Sequence, residues 1–177
     1  MRSALAALLA PSHDCLMPEI KCSLLTPLDP EQVFGAMIDF TDHRPDLWPA
    51  LDPELYRVHA QGRDWAEVTE GSVGRHSPSI LLPNLRKIED PWARQHYEWS
   101  TEDRTVRSTV LESSWINPPG PAEYRVLSHE DGSRIVLSLN QTHKGIIGML
   151  FDLTMMIAGR QMLTTYWQRH LQLLSGR

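Results

Sequence analysis

The strongest constraint on this chain lies near its C-terminal end, where residues 145–174 read as one long helix. Its first half contains Ile146, Ile147, Met149, Leu150, Phe151, Leu153, Met155, Met156 and Ile157, and at a 3.6-residue period no continuous polar face divides them. A helix that is apolar all round has to be covered, so the first half is expected to be enclosed by the rest of the chain. The second half carries a polar stripe of Arg160, Gln161, Thr164, Gln168, Arg169 and Gln172, and is expected to lie against solvent. Gly148, Asp152 and Thr154 interrupt the apolar run, which falls short of the ~20 residues a bilayer span needs. No stable membrane insertion is expected.

What could cover such a helix is written upstream. Residues 18–26 alternate loosely through Ile20, Cys22 and Leu24, as a first strand does. Asp29-Pro30-Glu31-Gln32 is a helix start, with Asp at the cap, Pro at the first helical position and Gln32 placed to reach back to the cap; Val33, Phe34, Met37 and Ile38 supply a buried face. Asp42, Pro45, Asp46 and Pro49 end that helix early and leave room for a second short one over residues 45–51. From Leu55 the period changes to two. Residues 55–60 and 65–70 form a hairpin around Gln61-Gly62-Arg63-Asp64, and residues 92–99, 105–116, 122–128 and 133–143 read as further strands. Residues 79–82 could add a short one within the proline-broken stretch 72–91. Antiparallel strands joined by turns, with helices segregated at the two ends, make an α+β domain: a curved antiparallel sheet of about six or seven strands gripping the C-terminal helix, with two short helices after the first strand.

A chain of 177 residues fits one domain and can bury a substantial core or enclose a cavity. Residues 1–17 are expected to be a flexible arm and residues 18–177 the domain. The formal charge of -5 and the scattered Lys and Arg give no phosphate-tracking patch, so nucleic acid is not an expected partner. Cys15 and Cys22 make neither a disulfide framework nor a zinc site and read as free thiols of a cytoplasmic protein. The apolar run Ala4 to Ala10 is at the lower limit for the apolar region of a signal peptide and is followed at once by Pro11-Ser12-His13-Asp14, so a loose N-terminal arm is expected in its place. The nucleophile-elbow, dinucleotide, phosphate-loop and zinc-helix motifs are missing; no cofactor and no metal are expected.

Several strings, in order, resemble the START-like helix-grip superfamily, also called SRPBCC, which includes polyketide cyclase/dehydrases, plant pathogenesis-related proteins and lipid-transfer proteins. They are Pro30-Glu31-Gln32-Val33-Phe34 running into Ile38-Asp39-Phe40; Asp46-Leu47-Trp48-Pro49; Ala66-Glu67-Val68-Thr69-Glu70-Gly71; Tyr97-Glu98-Trp99; and the final helix. The resemblance spans residues 19–174. It implies a curved sheet around the long helix, two short helices closing one end, and a cavity between. It does not imply a catalytic set, because members of this superfamily use different residues.

Strand parity selects the side chains that face the helix. Leu137 and Leu139 define the inner face of their strand, and the same parity carried onward brings Gln141 and His143 inward. Tyr124, Tyr97, Trp99 and Tyr56 follow from the other strands, Phe34 and Met37 from the first helix, and Phe151, Met155 and Met162 from the last. These thirteen residues are the expected ligand-binding set, with Met149 and Met156 as further parts of an adaptable methionine wall. Trp65 and Trp92 fall on the outward parity. Asp152 could favour the helix dipole or pair with Arg160. Three readings follow. The first is a binding or transport protein for a hydrophobic small molecule such as a lipid, isoprenoid or polyketide. The second is a cyclase or aromatase in which His143 is the acid or base and Tyr97 or Tyr124 the donor. The third is a ligand-free interaction domain with a filled core and an exposed apolar patch. Oligomeric state is left open.

Overall fold

The computed structural model describes residues 19–48, 50–71 and 91–176. The arm over residues 1–17, Cys15 and the short strand expected at residues 79–82 therefore lie outside the described residues. Among the described residues seven antiparallel strands form one open sheet: β1 (Ile20–Thr26), β2 (Arg57–Gln61), β3 (Trp65–Gly71), β4 (Trp92–Ser100), β5 (Thr105–Ser113), β6 (Ala122–His129) and β7 (Gly132–Leu139). Their spatial order is β1-β7-β6-β5-β4-β3-β2, so β2 to β7 run as a meander and β1 returns to close on β7. Two short helices, α1 (Pro30–Met37) and α2 (Arg44–Leu47), follow β1, and α3 (Gly145–Ser175) ends the fold.

Local chemistry explains the boundaries. The Asp29 carboxylate accepts a hydrogen bond from the Glu31 amide at 2.8 Å, and Pro30 needs no donor where helix amides are orphaned anyway. Gln32 does not turn back to complete a capping box; its side-chain amide donates to the Leu174 carbonyl, tying α1 to the end of α3. Trp48 Nε1 donates to the Ala36 carbonyl, which seats α2 under α1. Strand β7 stops at Leu139, four residues short of His143, and His143 pairs with Ile116 in an isolated bridge outside the seven strands.

The core runs from α1 through the sheet to the second half of α3, with Val33, Phe34, Phe40, Leu137, Trp167 and Leu171 among its members. Across the inner face Cys22, Leu137, Tyr124, Val106 and Trp99 sit opposite one another in register on five successive strands. A bulge near the end of β5 shifts that strand's parity: Arg94 pairs with Glu112 and Gln95 with Val110, so Leu111 is the extra residue and is turned outward.

The expectation for α3 is corrected. Neither half is enclosed; both lie on the domain by one face, through Gly148, Asp152, Met155 and Gly159 in the first half and Trp167, His170, Leu171 and Leu174 in the second. Gly148 and Gly159 let the helix come this close. A Cβ at Gly148 would stand 2.6 Å from the His143 carbonyl carbon, and one at Gly159 would stand 3.0 Å from the Ile20 side chain. The opposite face of the first half keeps its apolar residues in solvent, Ile146 at 76 % and Ile157 at 83 % exposure. The periodicity reported how apolar this segment is, but not which face the fold leaves in solvent.

Candidate functional site: an aromatic cavity with one polar pole

Between the sheet and α3 lies a cavity of about 360 Å³. Tyr97, Val106, Tyr124, Leu137 and Leu139 line it from the sheet, and Phe151, Leu163, Tyr166 and Trp167 from α3. Met37 and Trp48 close the side under the short helices. Edge-on packing of Trp48 against Trp167, with ring centroids 5.2 Å apart, and a tilted contact of Trp167 with Tyr124 at 5.7 Å join sheet and helix into one aromatic wall.

One part of this wall is charged. Arg44, only 5 % exposed, donates from Nε to Glu70 Oε1 at 2.8 Å and from Nη1 to the carbonyls of Met37 and Asp39 at 3.0 and 3.2 Å. The Phe40 ring lies 4.2 Å from its guanidinium carbon. The second carboxylate oxygen of Glu70 accepts from Tyr97 Oη at 2.7 Å and from Gln95 Nε2 at 3.2 Å. Burial works against the Arg44 charge, but Glu70, with smaller contributions from Tyr97 and Tyr56, more than offsets it and the guanidinium is held above its ordinary range. Burial, and then the Glu70 charge, push the Tyr97 hydroxyl well up and Tyr124 to about 12. Both phenols are therefore donors at neutral pH. The pole is charge-neutral, because one carboxylate matches one guanidinium.

A second cluster stands behind the cavity wall. Asp152 accepts from the His143 amide at 3.0 Å and lies 2.5 Å from His143 Nδ1, correcting the expectation of a dipole or Arg160 role for this acid. The His143 ring packs against Phe151 at 4.7 Å and Trp115 at 5.3 Å, and both of these line the cavity. Burial lowers the His143 imidazole and Asp152 opposes that, leaving it below its ordinary range.

Of the sequence-selected residues, Met37, Tyr97, Tyr124, Leu137, Leu139, Gln141 and Phe151 are in the cavity wall. Gln141 donates to the Gly120 carbonyl. Phe34 is in the core under α1, and Trp99 stacks on Phe40 at 5.4 Å instead of reaching the cavity. Tyr56 packs on the core with its hydroxyl buried and unpartnered among the described residues. Met155 is buried beside Gly159, whereas Met162, Met149 and Met156 face outward, so Met37 alone of the proposed methionine wall lines the cavity. Trp92, placed outward by parity, is instead a wall residue at the start of β4, and Trp65 stacks on His96.

The residues that sequence reasoning passed over are Arg44 and Glu70; Gln95 shares the inward parity of Tyr97 and does line the cavity. Parity does turn Glu70 inward with Ala66 and Val68, so an acid on an inner-face position was the available signal. Arg44, in a breaker-rich stretch, gave none.

No protein-family model matches the sequence, and no curated protein matches it. Solved structures do match. A protein from Thermus thermophilus is 16% identical with a TM-score of 0.67, over 90% of this chain and 98% of that one. An aromatase/cyclase, Zhui from Streptomyces sp. R1128, is 12% identical with a TM-score of 0.60, over 89% and 91%. A START superfamily protein from Mycobacterium smegmatis is 9% identical with a TM-score of 0.55, over 82% and 99%. At such identities the likeness is one of fold, and the fold is the helix-grip arrangement that the resemblance in the sequence implied.

Proposed function

We propose that this protein binds a hydrophobic small molecule, neutral and carrying an acceptor oxygen, in the cavity between sheet and α3. The observation that carries the reading is an aromatic, apolar cavity with a single polar pole whose charges already cancel. A volume of about 360 Å³ suits a small lipid, isoprenoid or polyketide-sized ligand. Affinity comes from apolar area at about 25 cal/mol per Å² removed from water. Orientation comes from Arg44 and Tyr124, since the one proton of the Tyr97 hydroxyl is already given to Glu70. Since Glu70 already neutralises Arg44, a ligand carboxylate would bring an uncompensated charge, while a carbonyl or hydroxyl oxygen would not. A buried free thiol at Cys22 agrees with the cytoplasmic setting of such a protein.

The test is a native mass spectrum of the purified protein beside an organic extract of it. A reproducible hydrophobic adduct, retained by wild type and depleted about fivefold in Tyr124→Phe, is the expected result if one hydrogen bond of about 1 kcal/mol anchors the ligand. A clean apo mass, with no thermal stabilisation by fatty acids, sterols or aromatic polyketides, would remove the reading.

A second reading, the cyclase or aromatase, is favoured by the His143–Asp152 pair, because an acid that fixes one imidazole nitrogen prepares the other for proton transfer. The rings of Phe151 and Trp115 flank that imidazole, so we place it behind the wall as a structural pair that orients them. The two roles separate in His143→Gln. In the binding reading affinity changes less than about twofold, whereas a general base is worth about a hundredfold or more in turnover. Stability gives a second readout. An imidazole held below its unfolded value of about 6.5 takes up its proton more readily in the unfolded chain. Its contribution is therefore complete above that pH and is lost as the pH falls through the lower folded value. Melting temperatures from neutral to mildly acidic pH should drop less steeply in His143→Gln than in wild type, and equal slopes would contradict the assignment.

A further inference from the structure

The outer face of the first half of α3 is an apolar stripe: Ile146, Met149, Leu150, Leu153, Met156 and Ile157, each between 52 % and 83 % exposed. The spacing of three and four residues puts them on one side of the helix over about 17 Å, opposite the face that packs on the sheet. Isolated exposed leucines need no explanation, but a continuous stripe of six large apolar side chains does.

The charges around the stripe identify what covers it. Within α3 the outward charges are Arg160, which continues the stripe one turn on, and Arg169; the helix's acid, Asp152, is turned inward onto His143. Lys144 caps the other end of the stripe, its ammonium hydrogen-bonded to the Ser113 carbonyl. The stripe is thus bracketed by positive charge on a chain whose net charge is -5. A second copy is a poor fit to that pattern. An antiparallel two-fold centred on the stripe would set Arg160 of one copy against Lys144 of the other, and a parallel one would set Arg160 on Arg160. An anionic lipid surface accepts both cations and the apolar side chains between them.

We propose that this face of α3 lies on the surface of an anionic membrane, with the six apolar side chains in the headgroup boundary. By length and composition α3 could cross a bilayer, but its other face is bound to β1 and buries Asp152, Trp167 and His170, so the helix rests on the membrane and does not span it. Phe151, one position from Leu150, belongs to the cavity wall, so adsorption would bring the cavity beside lipid. The surface contact itself does not depend on what the cavity holds.

Co-sedimentation of the full chain with phosphatidylcholine vesicles, with and without phosphatidylglycerol, tests this. Wild type should pellet with the anionic vesicles. The double variant Leu153→Glu/Ile157→Glu should bind about a hundredfold less, since each buried aliphatic side chain is worth about tenfold or more. Arg160→Gln should bind about fivefold less to anionic vesicles and equally to neutral ones. Both substituted faces are in solvent, so circular dichroism and melting temperature should stay at wild-type values. Wild type remaining in the supernatant with both vesicles would overturn the proposal, as would a double variant that pellets like wild type. A wild-type dimer in sedimentation velocity that the double variant converts to monomer would also overturn it, by assigning the stripe to a second copy.

Discussion

Replacing Glu70 by Leu is expected to lower the free energy of unfolding by about 3–5 kcal/mol, the cost of leaving a buried guanidinium without its counter-charge. The side chains of Arg44 and Glu70 are 7 % and 10 % exposed, so water cannot take over the solvation that the carboxylate supplies. Tyr97 and Gln95 would lose their acceptor in the same substitution. The double variant Arg44→Met/Glu70→Leu removes both charges, and it should be less destabilised than Glu70→Leu alone even though the Met37 and Asp39 carbonyls lose their donor. Urea titration of the two variants measures this. A loss below about 1 kcal/mol for the single change would mean that the pair behaves as a solvated surface ion pair and that the pole is open to bulk water. Ligand orientation by Arg44 would then lack its basis.

That pole also marks where sequence reading stops. The inner-face positions on β4, β6 and β7 were legible because a strand's side chains alternate strictly. Tyr97, Tyr124, Leu137 and Leu139 therefore follow from neighbours such as Val126 and Ile135, which are buried. The start of α1 was legible because Asp-Pro has one good use there. Arg44 was not. Its partner Glu70 is 26 residues away, and only the tertiary fold brings an arginine from a four-residue helix onto an inner-face acid of β3. Gln141 and His143 show how parity decays: β7 ends at Leu139, and two residues further Gln141 still reaches the wall, while His143 has swung onto Asp152 at the foot of α3. The apolar character of α3 was plain in the sequence, but composition does not say whether protein, ligand or lipid will cover a face.

The cavity itself is open to a test in which two readings predict different outcomes. Leu139 projects from the end of β7 into the cavity wall. In Leu139→Trp a larger ring enters the space, and if that space normally holds a ligand, the apo protein has room for it. Stability should then change by less than about 1 kcal/mol, because filling a void restores contacts that the lining residues lack. Affinity for a hydrophobic ligand recovered from the protein should fall about tenfold or more, since the ring removes volume and apolar wall from the same site. A core that is packed to its limit responds the other way: the extra ring forces neighbours off their rotamers and costs about 1–3 kcal/mol. Thermal denaturation and ligand titration on one variant thus separate a binding cavity from the filled interior of an interaction domain. A destabilised Leu139→Trp that binds nothing less well than wild type would count against the cavity as a ligand site, while a stable variant that has lost its ligand would fix the site between β7 and α3.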